Sequence, residues 1–304
     1  MRRPLMLLML LAMPAGRAGA GQEQPAAVDV VFVVDASNSM SKNDPEGLRN
    51  TFMKMTVDFM SGRGGDRIGV VQFGGWHETQ RRNVVVFPLT QIPEPGKGAE
   101  FQKKFGEAVG KAEIFGSASD INVAFELGLG EIQKQRGATK NGYWVVVLTD
   151  AALSAPEPAK VREEYKKKAA EMFKLGPEEE ANDDQLNAAA LEIFKTDVAP
   201  KFSGAGLKIS AVTLAKKAPP ADSPIQLLVG KGNKVGVLTK SPLRDLVIPM
   251  LAGSQLYPKG TGGFYGYAAG TSSYAVHLHE GSQGTRALVW SRGAQVKATV
   301  KGPD

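Results

Sequence analysis

Residues 28–34, VDVVFVV, are the tightest constraint on what this chain can fold into. Apart from Asp29 the run is apolar and mostly β-branched, without the alternation of a half-solvated strand. It therefore predicts a central strand buried on both faces, as a parallel sheet requires. The run ends at Asp35, and ASNSMSKNDPEG follows it. Small oxygen-bearing side chains thus crowd the carboxyl end of a buried strand, the place where open α/β sheets bind ligands.

The rest of the chain alternates in the same way. Residues 45–62 carry Leu48, Phe52, Met55, Val57, Phe59 and Met60 at roughly helical spacing. Pro45 near the start and Gly62 just past the end bound a helix there. Strands are predicted at 66–75 and 83–90, joined by a short polar hairpin and hence antiparallel. Pro88 places the latter at the sheet edge. Helices follow at 99–114 and 120–135, a strand at 143–150, and two helices within 156–200 broken around Gly176-Pro177. A strand at 207–215, another at 233–239 and a helix at 241–253 close the pattern.

These elements predict an α/β domain over 28–253 with a doubly wound, mostly parallel sheet, one antiparallel edge strand and helices on both faces. Residues 254–304 are rich in glycine turns and short alternating runs without a helical period. They predict a small, partial all-β module that stops in a hairpin turn, as a truncated segment would.

Residues 1–20 have the layout of a secretory signal: Arg2 and Arg3, an apolar run from Leu5 to Met13, and Ala18-Gly19-Ala20 before a short linker, 21–27. The run is short for a bilayer span, so cleavage is expected, and membrane association only if the protein continues past residue 304. Removal lowers the net charge from +6 to +3, because Arg2, Arg3 and Arg17 leave and no acid does. Little then remains of a nucleic-acid reading. The chain has no cysteine, so an exported form, periplasmic or secreted, must rely on its hydrophobic core.

Asp35 lies at one predicted strand end and Asp150 at another, and FGSASDINVAF puts Ser119 in a loop before a helix. Three loops can therefore bring Asp35, Ser37, Ser39, Ser119 and Asp150 to one crevice. Two carboxylates and several hydroxyls make an all-oxygen site suited to a hard divalent ion, Mg²⁺ first and Mn²⁺ or Ca²⁺ next.

DASNSM matches the Asp-x-Ser-x-Ser signature of the von Willebrand factor A domain and its metal-ion-dependent adhesion site. SKNDPEGLR, GDRIGVVQF, FPLT and VVVLTDA follow in the order and spacing of that family's bacterial branch, so 28–253 resembles such a domain. The resemblance implies that Asp35, Ser37 and Ser39 form the first metal loop and Asp150 the third. The second loop departs from the pattern, with Ser119 where the family usually has threonine; Ser117 is an alternative. The implied function is adhesion without catalysis, with a Glu or Asp of a protein partner completing the metal's coordination and no small-molecule cofactor.

Other readings compete. An EF-hand fits the oxygen spacing from Asp35 to Glu46, but Met40 stands where its turn needs glycine, and the preceding run reads as a strand. An aspartyl phosphotransferase, or a metal-dependent hydrolase or phosphatase, wants a second acid where Ser37 stands. The only histidines are 77, 277 and 279, and no Gly-x-Ser-x-Gly occurs. A structural module with a vestigial site would use Asp35 and the serines only to cap the next helix. His277 and His279 share a strand face and read as solvated. Trp76, His77, Arg81 and Arg82 in the hairpin are expected on the rim facing a partner. The charges of 156–200 are either solvated helix faces or a specificity insertion.

Overall fold

The computed structural model describes residues 6–12, 27–45, 47–60, 65–74, 76–77, 80–81, 84–93, 98–110, 120–135, 141–150, 163–204, 207–214, 223–229, 235–237, 262–268 and 286–291. The chain divides into two units, Ala26–Gly253 and the pair Met1–Pro25 with Ser254–Asp304.

In the smaller unit, strand β1 (Met6–Ala12) lies between β10 (Gly262–Ala268) and β11 (Arg286–Ser291), antiparallel to both. Most of the apolar run of the expected signal, Met6–Ala12, is thus a strand in this chain. His277 and His279 lie outside the described residues.

The larger unit is built on β2 (Val28–Asp35), buried along its whole length. It pairs in parallel with β3 (Arg67–Phe73) and β7 (Gly142–Thr149). Beyond β7 lie β8 (Lys208–Thr213) and β9 (Val235–Val237), both parallel. At the other edge β6 (Val84–Gln91) runs antiparallel to β3, giving the order β6-β3-β2-β7-β8-β9. The register shifts across Pro88, between the Ile68–Thr90 and Val70–Phe87 pairs. An edge bulge suits a residue with no N–H to give. Between β3 and β6, β4 (Trp76–His77) and β5 (Gln80–Arg81) form a two-stranded ribbon; Arg82 and the ribbon's side chains lie outside the described residues.

Helices cover both faces, as the strand pattern predicts. Val31 and Val33 of β2 join Val71, Val145 and Val147 in a core closed by Ala124, Phe125 and Leu129 of α4 (Ile121–Gln135). Gly128 faces Val33, whose methyl would lie 3.0 Å from a Cβ there, so helix and sheet approach closely. On the opposite face, Phe32 meets Phe52 of α2 (Leu48–Met60) edge to face at 5.9 Å. Phe101 and Phe105 of α3 (Ala99–Gly110) pack on Phe87 of β6.

The 156–200 stretch resolves into α5 (Glu163–Phe173) and α6 (Asp183–Ile193), with the break where Gly176-Pro177 predicts it. Asn182 and Gln185 cap α6 reciprocally, a pattern written in the spacing N-D-D-Q. A π-helical turn (Phe194–Val198) and α7 (Ala199–Gly204) return the chain to the core, where Phe194 and Phe202 pack on Phe125. A short α8 (Pro224–Val229) buries Ile225 and Val229, an element the sequence pattern did not predict. The helix expected at 241–253 lies outside the described residues.

Candidate metal site

The site builds upward from the end of β2. Asp35 is fully buried, and its carboxylate accepts from the Ser37 N–H at 2.8 Å and the Thr149 hydroxyl at 2.6 Å. Thr149 is the last residue of β7, so parallel pairing of β2 and β7 sets this contact and brings Asp150 to the same end. Burial is the main cause that pushes the Asp35 carboxyl up from 3.8 to about 6; the Asp150 carboxylate adds to the rise, and the Thr149 and Ser37 hydrogen bonds oppose it.

The loop after Asp35 curls tightly. Ala36 N–H donates to Phe73 O at 2.6 Å, pinning the loop to the end of β3. Gly74 sits against it: a Cβ there would lie 2.8 Å from the Ala36 carbonyl carbon and oxygen. Ser37 and Ser39 then bring their hydroxyl oxygens to 2.9 Å from each other. Ser39 precedes a single helical turn, α1 (Met40–Asn43), yet its side chain makes no cap.

Capping of the next helix falls to another residue. Asp44 accepts from Leu48 N–H at 2.6 Å and from Arg49 N–H at 3.1 Å. The helix therefore begins at Leu48, three residues later than the pattern predicts, because Asp44 and Gly47 (φ +62°) shape the turn before it. The reading in which Asp35 and the serines serve as caps fails on this geometry. The EF-hand reading fails too, since a strand leads into the loop.

Of the residues expected at the site, Asp35, Ser37 and Ser39 come from one loop and Asp150 from the neighbouring strand end; Ser119 and its alternative Ser117 lie outside the described residues. Their neighbour Asp120 is described. It caps α4 through Val123 N–H at 3.3 Å and accepts from the Tyr165 hydroxyl at 2.8 Å. Asn122 donates to Tyr165 Oη and to Ala190 O, each at 3.0 Å. The helical pair α5–α6 is thereby hooked onto the start of α4, beside the second loop. Sequence reasoning missed Asn43, whose side chain donates to Asp150 at 3.0 Å, and Thr149. The strand-end position of Thr149 was a readable signal; Asn43 had none beyond its place in the polar loop.

The donor set has the chemistry for a hard dication: two carboxylates offset its charge, and neutral hydroxyls add oxygens. Among the described residues no group of three or more His, Cys, Asp or Glu could hold a metal, so any ion here depends on the serines.

The sequence matches the family model described as von Willebrand factor type A domain over residues 29–198. No curated protein sequence matches the chain. Among solved structures it is similar to proximal thread matrix protein 1 from the mussel byssus, at 16% identity and a TM-score of 0.48 over 77% of this chain and 49% of that one. It is also similar to the PilB minor pilin of Streptococcus sanguinis, at 12% identity and 0.48 over 78% and 64%. The manganese-loaded TRAP protein of Plasmodium vivax aligns at 13% and 0.44 over 88% and 93%. The chain spans about half the length of the mussel protein. With the family model covering more than half of it, the chain belongs to the von Willebrand factor type A domain family.

Proposed function

We propose that this protein binds a protein partner through a divalent cation held by Asp35, Ser37, Ser39 and Asp150, with Ser119 from the loop before α4 completing the set. The observation that carries this reading is a buried carboxylate, Asp35, served among the described residues by neutral donors, beside a second carboxylate and two hydroxyls 2.9 Å apart. Such an arrangement is costly when empty and favourable when a cation enters. Ser37 and Ser39 offer direct ligands, while Asp35, already accepting from Ser37 and Thr149, acts mainly as a charge behind them. The cation, Mg²⁺ first and Mn²⁺ or Ca²⁺ next, supplies a positive centre able to take a Glu or Asp of the partner. The reading is adhesion rather than catalysis: the three histidines, at 77, 277 and 279, all fall outside the sequence segments that supply the proposed ligands. The order of SKNDPEGLR, GDRIGVVQF and FPLT supports a place in the family's bacterial branch.

Capture from an envelope extract tests this. Bound protein should be lost with chelator and with Asp35→Ala; a partner retained in both would locate binding on another surface. A chain that takes up no Mg²⁺ or Mn²⁺ in titration would return the fold to a structural role.

Export follows from the same reading, with residues 1–20 as the cleaved signal. Because β10 and β11 each pair with β1, cleavage removes the strand between them. N-terminal sequencing of the exported protein should begin near Gly21; a chain that keeps Met6–Ala12 would contradict the signal reading.

A further inference from the structure

The stretch SKNDPEGLR carries part of the family resemblance but none of the expected ligands, and the structure gives its polar residues distinct tasks. Asp44 caps α2, and Arg49 lies 3.9 Å from it while donating to the main-chain oxygen of Asp35 at 3.3 Å. Asn43 closes the turn that follows the first metal loop and reaches across to the third. Its N–H donates to Ser39 O at 3.0 Å, and its side-chain amide donates to Asp150 Oδ2 at 3.0 Å, across 107 residues of sequence.

We propose that Asn43 is a positioning residue of the metal site, a strut that sets the Asp150 carboxylate against the Ser37–Ser39 loop before a cation arrives. This inference rests on the metal-site reading above. Two features favour a strut over a general structural contact. The donor is a neutral amide, which orients a carboxylate without supplying the charge that a lysine or arginine would, so the site keeps its demand for a cation. Asn43 is also exposed, at the end of a single helical turn; its backbone bond closes that turn, and its side-chain bond joins the first metal loop to the third rather than loop to core. Its removal should therefore leave folding intact while loosening the geometry offered to the ion.

The test measures Mn²⁺ binding to the full chain by electron paramagnetic resonance, with urea unfolding of the metal-free protein alongside. Asn43→Ala and Asn43→Leu, the second keeping the bulk without the donor, should weaken Mn²⁺ binding by about 10–100-fold. Their metal-free urea midpoints should match that of the unsubstituted protein. Affinity within twofold in both variants would overturn the proposal. So would loss of affinity accompanied by an equal loss of metal-free stability, or failure of both variants to fold, since each marks a merely structural contact. If the unsubstituted chain itself binds no Mn²⁺ above an Asp35→Ala control, the metal site falls and this inference with it, a result distinct from the others.

Discussion

Strand β2 carries a buried acid near each end, and the two are treated in opposite ways. Asp29 receives a fork from Arg67, whose Nε donates at 2.7 Å and whose Nη2 lies closer still, and the Asn141 amide adds a bond of 2.8 Å. Among the described residues Asp35 receives neutral donors, Ser37 and the Thr149 hydroxyl, with a second acid nearby. The Arg49 guanidinium reaches the backbone oxygen of Asp35 rather than its carboxylate. A charge answered by a resident cation serves the fold; one answered by neutral groups leaves room for a cation from outside. On the proposed reading, this contrast between acids of the same burial separates structure from function.

Breaking the paired end should cost most. Arg67→Ala strands Asp29 and is expected to lower stability by about 3–5 kcal/mol, equally with and without divalent ion, in urea titrations. An effect that depends on metal would blur the contrast.

The unpaired end should respond with the opposite sign. In the metal-free protein, Asp35→Asn removes an uncompensated charge and should raise stability at pH 7 by up to about 3 kcal/mol, the equivalent of the rise from 3.8 to about 6. The same substitution should abolish stabilisation by Mg²⁺ or Mn²⁺. The pH profile gives the matching test. Between pH 4 and about 6 the unfolded chain gives up the Asp35 proton that the folded chain keeps, so metal-free stability should fall as pH rises through this window. Stability that rises there and is lost in Asp35→Asn would contradict the assignment.

Gly74→Ala sharpens the comparison further, since the added methyl presses on the Ala36 carbonyl. It should cost about 1–3 kcal/mol and weaken metal binding, whereas crowding at the Arg67 end would affect stability alone. The smallest expected effect is that of Tyr165→Phe, which removes the hydroxyl between Asp120 and Asn122. A loss of about 1 kcal/mol in urea unfolding, with Mn²⁺ affinity changed less than in Gly74→Ala, is the expected outcome.

Period and punctuation made most of the larger unit readable. The β-branched run of β2, Pro88 at the sheet edge and Gly176-Pro177 between two helices each express a backbone requirement local to a few residues. The strand-end rule likewise brought Asp35 and Asp150 together, because parallel pairing of β2 with β7 leaves little freedom in where they finish. Contacts between distant side chains leave no such trace. Nothing periodic links Asn43 to Asp150, or Tyr165 to Asp120, and both depend on the exact closure of loops. The first turn after Asp35 was misjudged for a related reason: Pro45 reads as a helix start, but Asp44 reaches past it to cap Leu48 and Arg49. Helix α8 was missed because it is one short turn and a half in a proline-rich stretch.

On the proposed reading, two carboxylates and a pair of serine hydroxyls at the carboxyl ends of β2 and β7 hold one hard cation. The most direct measurement is an anomalous difference map from crystals grown with Mn²⁺. A single peak within coordination distance of Ser37 Oγ, Ser39 Oγ and the Asp150 carboxylate or its bound water is expected, and it should vanish in Asp35→Ala. A map with no peak between those side chains at saturating Mn²⁺ would contradict the account.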